Sequence, residues 1–378
     1  MRHGQVQASG AVAPPRTTDL PRLLDILPPM DRYTELTDTL RQHPRTWLVT
    51  GVAGFIGSHL LQRLLELGQT VVGVDDFSTG HRRNLDEVLR VHHDPGTFRL
   101  VEGDVRSGRV CARACAGVDF VLHEAALASV PRSIEDPMRT HRVNVDGTLA
   151  LFLAARDAGV QRVVYASSSA VYGNAERLPL REEDAGETLS PYALTKWMDE
   201  EYAALLRRMG GVDAVGLRYF NVFGPRQDPR GAYAAVIPQW TRALLAGEPC
   251  RIHGDGMNTR DFVWVGDVAQ ANLLAATVPL PDDAPRVFNV GGGRRISLNE
   301  LYAVLGAAAY REMEWAVPPP CVYGEARPGD ILHSQADLSR IRAVLGYTPR
   351  ADLDVALGEL VSATAAALRV PERLAGSA

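Results

Sequence analysis

The sequence predicts an α/β fold, a doubly wound parallel (Rossmann) sheet followed by a smaller C-terminal substrate-binding domain. Three observations predict it. From Thr46 onward short apolar runs alternate with amphipathic helical patterns, the rhythm of βαβ crossovers in a parallel sheet covered on both faces. Gly51, Gly54 and Gly57 stand between the first such run and the helix after it, where a tight turn brings backbone amides to a helix N-terminus. After Asn221 the alternation loosens into segments bearing Pro and Gly, which read as loops of a lid over the sheet.

Taken in order, Met1 to Pro29 is rich in Pro, Ala, Gly and Thr without a sustained period and reads as a mobile extension, with Met30 a candidate translation start. Asp31 to Gln42, with Tyr33, Leu36 and Leu40, predicts a short helix. The whole of 1–45 is set apart as an N-terminal extension, mostly mobile. The strands are WLVTG, VVGVDD, FRLVEGD, VDFVLHEAA, RVVYASSS and AVGLRYFN, and helices are expected over Ser58 to Leu67 and Asn144 to Ala158. A nucleotide-binding domain therefore covers 46–220 and also receives 259–292 with the strand RVFNVGGG; an interleaved substrate region covers 221–370.

At 378 residues and 46% hydrophobic, the chain can bury a large core. A net charge of -5 gives no electrostatic case for nucleic acid, so an anionic ligand must be held by a few placed groups. Cys111, Cys115, Cys250 and Cys321 are too scattered for a disulfide framework or a metal pair, and no metal is expected. No run approaches the ~18 apolar residues of a membrane span, and no apolar stretch of a secretory signal opens the sequence. A cytoplasmic protein with no membrane partner is expected.

The three glycines suit a pyrophosphate at the start of the helix, with the spacing G-x-x-G-x-x-G. Asp75, closing VVGVD, can accept both hydroxyls of an adenosine ribose and repels a 2′-phosphate, so NAD is expected over NADP; Arg82 and Arg83 are the opposing signal. Asp104, at the end of the third strand, either faces the adenine or caps a helix. Ala125 and Ala126 leave a small surface for the cofactor backbone to pass. Tyr192 and Lys196 lie one helical turn apart in SPYALTK, so both side chains share a face and the ammonium favours the phenolate of a residue otherwise near pKa ~10. Ser168 ends the strand RVVYASS, at the edge where open α/β sheets bind ligands, and its hydroxyl can bridge a substrate oxygen and the Tyr192 phenol.

Together Ser168, Tyr192 and Lys196, with Gly51, Gly54 and Gly57, resemble the Ser-Tyr-Lys signature of nucleotide-sugar epimerases and dehydratases of the extended short-chain dehydrogenase/reductase family. The resemblance runs from Tyr33 to Leu357 and is nearest to bacterial UDP-N-acetylglucosamine 4-epimerases of polysaccharide biosynthesis. It is carried by WLVTGVAGFIGS, TGHRRNLDEV, SVPRSIEDP, LRYFNVFGPRQDPRGAYAAVIPQW and GMNTRDF. It implies a retained NAD that oxidises C4 of a UDP-sugar and re-reduces it from the other face, with Tyr192 as base. Dehydratases and uronate decarboxylases resemble this site but carry an acid one or two places after the Ser168 position. Ser169 and Ala170 stand there, so the chemistry is expected to stop at C4.

The same resemblance implies further contacts: Phe55, Ile56, Asp76, Ser78, Thr79, Gly80, Val105, Asn144 and Tyr219 with the cofactor, and Asn221, Ala235, Val236, Arg260, Arg327 and Asp330 with UDP. Two guanidinium forks suit a diphosphate. Ser129, Arg132 and Ser169 offer polar partners to the sugar, Arg251 lines its pocket, and Trp240 belongs to the core. Ser334 occupies a position where relatives restricted to non-acetylated sugars carry tyrosine, which leaves room for an N-acetyl group. A homodimer is implied, paired through Asn144 to Ala158 and the helix after Tyr192. Two other readings stay open: a 4-epimerase of UDP-uronic acids, which Arg132 would serve, and a non-catalytic NAD-binding scaffold, which the intact Tyr192 and Lys196 oppose.

Overall fold

The computed structural model describes residues 32–92, 94, 96–175, 177–229, 235–313, 319–326 and 331–375. The first half runs α1 (Arg32–Gln42), β1 (Thr46–Thr50), α2 (Phe55–Glu66), β2 (Thr70–Asp75), α3 (Arg82–Val91), β3 (Phe98–Glu102), α4 (Gly108–Cys115) and β4 (Phe120–His123). There follow α5 (Val130–Glu135), α6 (Pro137–His141), α7 (Gly147–Asp157), β5 (Arg162–Ser168), α8 (Pro191–Arg208) and β6 (Ala214–Tyr219). The remainder is β7 (Asn221–Phe223), α9 (Val236–Leu245), β8 (Cys250–His253), β9 (Thr259–Trp264), α10 (Val265–Thr277), β10 (Val287–Val290), β11 (Arg295–Ser297), α11 (Leu298–Met313), β12 (Cys321–Gly324), α12 (Ser339–Leu345) and α13 (Leu353–Ala375).

Seven strands form one sheet in the order β10-β6-β5-β4-β1-β2-β3, every pair parallel. The order reverses between β1 and β4, and the crevice beyond their C-terminal ends is where a doubly wound sheet takes its ligand. Alternation along the strands divides the core. Trp47, Val49 and Val71 pack with α1, α2 and α10 on one face, whereas Leu48, Val72 and Val121 pack with α4 and α7 on the other. A separate core joins α9, α11 and α13 to two small sheets, β11-β9-β7 and β12-β8.

The short helix expected near Asp31 to Gln42 is α1, and it is packed onto the fold rather than mobile: Tyr33, Leu36 and Leu40 are buried, Arg63 donates to the Tyr33 hydroxyl at 2.9 Å, and Arg32 donates to the Val344 carbonyl at 2.9 Å. Three expectations need correction. The helix expected from Asn144 begins with a wide turn, Arg142–Asp146, and becomes α-helical at Gly147. There the Thr148 hydroxyl donates to the Asn144 carbonyl, and a Cβ on Gly147 would lie 2.9 Å from Val105. The stretch after Asn221 is far more ordered than loops around a single strand. Its strands are short and its helices are interleaved with Pro and Gly, so no sustained apolar period marks them. Finally, Thr259–Trp264 pairs with β7 and β11 rather than with the main sheet, to which only α10 and β10 return.

Candidate active site

The glycine turn works through close backbone approach. Gly51 has φ +65°, and a Cβ there would lie 2.9 Å from the Ala125 nitrogen; one on Gly57 would lie 2.1 Å from the Gly51 carbonyl oxygen. Only hydrogen fits, so the first turn of α2 faces a cleft of about 270 Å³ with its amides unshielded by side chains. Gly54, Phe55, Ile56, Asp76, Ser78, Thr79, Gly80, Asp104, Val105, Ala125 and Ala126, all named from the sequence or its resemblance, line that cleft together with Glu124, Leu127 and Val143.

Asp75 also lines the cleft. Its carboxylate accepts from the Ala53 and Phe77 amides at 2.8 Å each, while burial pushes its pKa up. Arg82, the opposing signal, is committed elsewhere: it donates to Glu102 at 2.6 Å and lies 4.1 Å above the Phe77 ring. A ribose with free hydroxyls suits this edge, and the residues present fit NAD. Asp104 caps no helix, since Ser107 caps α4; it accepts from the Arg106 amide and guanidinium, which hold its pKa down.

Ser168 is carried by β5, and Tyr192 and Lys196 are carried by α8. Ser168 ends β5 in register with Tyr219 of β6, and its hydroxyl oxygen accepts from the Ala170 amide at 3.1 Å. α8 starts at a Ser190 cap with Pro191 in the first turn, the expected signals of a helix N-terminus. The Tyr192 amide is fixed by the Ser133 hydroxyl of α5 at 3.1 Å. Tyr192 and Lys196 are both buried. Beneath them Arg218 clasps Glu200 with two bonds of 2.9 and 2.7 Å, and Ser167 donates to the same carboxylate, so α8 is bolted to β5 and β6.

Asn144 and Tyr219, which the resemblance puts at the cofactor, make protein contacts that brace the site. The Asn144 amide bonds the Leu127 backbone and the Thr195 hydroxyl; the Tyr219 hydroxyl donates to Glu124 at 2.7 Å and accepts from Asn272. Buried polar groups need such partners.

Three residues escaped the sequence reading. Lys196 donates to Asp199 at 3.2 Å, and burial pushes the Asp199 carboxyl up to about 6. His123 lies between the Thr50 and Thr148 hydroxyls at 2.6 and 2.9 Å, and burial together with Lys196 lowers its pKa to about 3. The third is Glu124, whose carboxyl burial raises to about 7. Its position between His123 and Ala125 was the available signal; for Asp199 it was the helical spacing from Lys196.

On the sugar side Ser129 caps α5, accepting from the amide of Arg132, and Ser169 opens a short turn over Ser169–Tyr172. Asn221 begins β7, and Ala235 caps α9 ahead of Val236. Arg251 lies on β8 against Gly324, its Nε within 3.2 Å of where a Cβ there would stand. Arg260 on β9 donates to the Thr259 and Leu332 carbonyls. Ser334 is buried beside it, its amide donating to the Thr259 carbonyl at 3.1 Å. Trp240 packs in the core against Tyr302. Arg327 and Asp330 lie outside the described residues. Among the described residues no cluster of His, Cys, Asp and Glu is arranged to hold a metal, and no helix is long and apolar enough to cross a membrane.

Residues 47–291 match the model of the NAD dependent epimerase/dehydratase family. A UDP-glucose 4-epimerase of Mycolicibacterium smegmatis is 39% identical over 319 residues, 84% of this chain and 96% of that protein. Among solved structures, a UDP-N-acetylglucosamine 4-epimerase from Methanobrevibacter ruminantium M1, in complex with UDP-N-acetylmuramic acid, superposes with a TM-score of 0.78 at 36% identity, covering 86% of this chain and 99% of its own. A UDP-glucose 4-epimerase of Thermus thermophilus in complex with NAD does so with a TM-score of 0.72 at 33% identity, covering 84% and 97%.

Proposed function

The chain belongs to the NAD dependent epimerase/dehydratase family, and from that premise we propose that it interconverts UDP-N-acetylglucosamine and UDP-N-acetylgalactosamine by inverting C4. That it is an NAD-dependent nucleotide-sugar 4-epimerase follows from the family and its relatives; the acetylated hexosamine is our reading. Ser334 supports it. This side chain is 6% exposed and sits next to Arg260, and one so small leaves space for an acetamido group that a tyrosine would fill.

NAD, when bound, supplies the reversible oxidation of the sugar's secondary alcohol. Tyr192 takes the C4 hydroxyl proton and later returns it, with the Lys196 ammonium favouring the phenolate. Ser168, whose oxygen already accepts from the Ala170 amide, keeps its proton and donates a hydrogen bond to the sugar oxygen. Ser169 and Ala170 hold no acid, so no second proton leaves C5 and the sugar is not dehydrated. Arg260, and Arg327 beyond the described residues, hold the diphosphate while the sugar presents its other face. Leu194 and Leu205 on α8, and Met209 at its C-terminal cap, are exposed, which supports pairing of two copies through this helix; light scattering reports whether a dimer forms.

Proton NMR of the purified protein with UDP-N-acetylglucosamine, and separately with UDP-N-acetylgalactosamine, without added NAD, tests the reading. Convergence of both on one mixture is expected. Turnover of UDP-glucuronate with neither acetylated sugar changed would assign the pocket around Arg132 to a uronate instead.

A further inference from the structure

α8 carries two successive buried carboxylates of unlike standing. Glu200 is fully satisfied by Arg218 and Ser167. Asp199, 1% exposed, has one oxygen on Lys196 at 3.2 Å, and its other oxygen, among the described residues, has no hydrogen-bond partner. Among the described residues, no second cation pairs with the Asp199 carboxylate. From β4, His123 is neutral and Glu124 is acidic; from α7, the Thr148 hydroxyl, which donates to the Asn144 carbonyl, also lies against the Asp199 carboxyl and favours its ionised form; from β5, Tyr165 is a buried phenol; and Glu200, on the same helix, is locked by Arg218. The Lys196 ammonium, one helical turn beyond Tyr192 on α8, is therefore opposed at 3.2 Å by a buried carboxylate, and away from water such charges act strongly on one another.

We propose that Asp199 is a positioning residue that fixes the Lys196 ammonium and, by offsetting its charge, sets the pH at which Tyr192 becomes the phenolate. The inference rests on Tyr192 being the base. Removing the negative charge while keeping the shape leaves Lys196 less offset, so the phenolate forms more readily. Burial raises the Asp199 pKa toward 6, so the offset is complete at neutral pH and fades as the pH falls.

The test is the pH profile of kcat for the NAD-loaded enzyme. Asp199→Asn is expected to move the acid limb down by about one pH unit, and Asp199→Glu, which keeps the charge, to leave the limb in place even if kcat falls. An unmoved limb in Asp199→Asn, whatever its rate, overturns the proposal and leaves Asp199 a structural partner. If Asp199→Asn folds too poorly to assay, the ultraviolet tyrosinate absorbance of Asp199→Ala, with Asp199→Ala/Tyr192→Phe subtracted, reads the same shift in Tyr192. Tyr192→Phe in the native background separates the two ideas: full activity there would overturn the base assignment and this inference with it, whereas a dead Tyr192→Phe with an unmoved Asp199→Asn limb overturns only the role of Asp199.

Discussion

The cofactor half and the sugar half hold their sites by different means. Around the cofactor cleft the decisive contacts are backbone: Gly51 backed by Ala125, Gly57 beneath the Gly51 carbonyl, and the Asp75 carboxylate fixed by two amides. Around the sugar side they are side chains on strands of three to six residues, Arg251 on β8 and Arg260 on β9, with Ser334 alongside. A site made of backbone resists alteration, because any new atom strikes the chain itself. A site made of side chains can be recut one residue at a time, so we expect sugar choice to change by substitution while cofactor use stays.

The largest break expected is on the cofactor side. Gly57→Val places carbon where 2.1 Å separates a Cβ from a carbonyl oxygen, and loss of bound NAD together with a large drop in stability is expected by absorbance and urea unfolding. Tyr192→Phe, at the seam between the halves, should lower kcat by about 100-fold or more for every sugar while NAD stays bound. Ser334→Tyr sharpens the contrast: kcat/KM for acetylated sugars should fall about tenfold or more, with UDP-glucose spared and NAD content unchanged. Equal losses on both sugars would show that the sugar half is no more adjustable than the cradle.

The smallest effect concerns pH. The Glu124 carboxyl titrates in the folded protein at about 7, above its ordinary 4.5. Between those values the folded chain keeps a proton that the unfolded chain has released, so this group's contribution is present below 4.5 and is lost as the pH rises through 7. Glu124→Gln should remove that slope, read by urea unfolding on either side of the window.

The contrast also governs what the sequence could reveal. The cradle, Asp75 and the Tyr192–Lys196 pair are written locally, as glycine spacing, a strand-ending acid and a helical interval, so they could be read directly. Ser334 and Arg260 could be named only by resemblance, because the chain that brings them together along Thr259 is a long-range pairing with no local period. Asp199 was missed for the opposite reason. Its spacing from Lys196 was plain, but an acid beside a lysine on a helix normally lies in solvent, and only the tertiary packing around α8 buries this one. Asn144 and Tyr219 were named by resemblance, and the hydrogen bonds that tie them to Leu127, Thr195, Glu124 and Asn272 are long-range pairings that leave no local pattern.

The chain does not finish one half before starting the other. α1 precedes the sheet, α10 and β10 return to it from the sugar side, and residues 336–347 enter its core again before α13 departs. No single cut separates the halves, so neither can be inherited, exchanged or expressed as a module. A shuffled descendant with a new sugar has to arise by substitution within strands such as β9, and unfolding of this protein should be one cooperative event in which both ligands are released together.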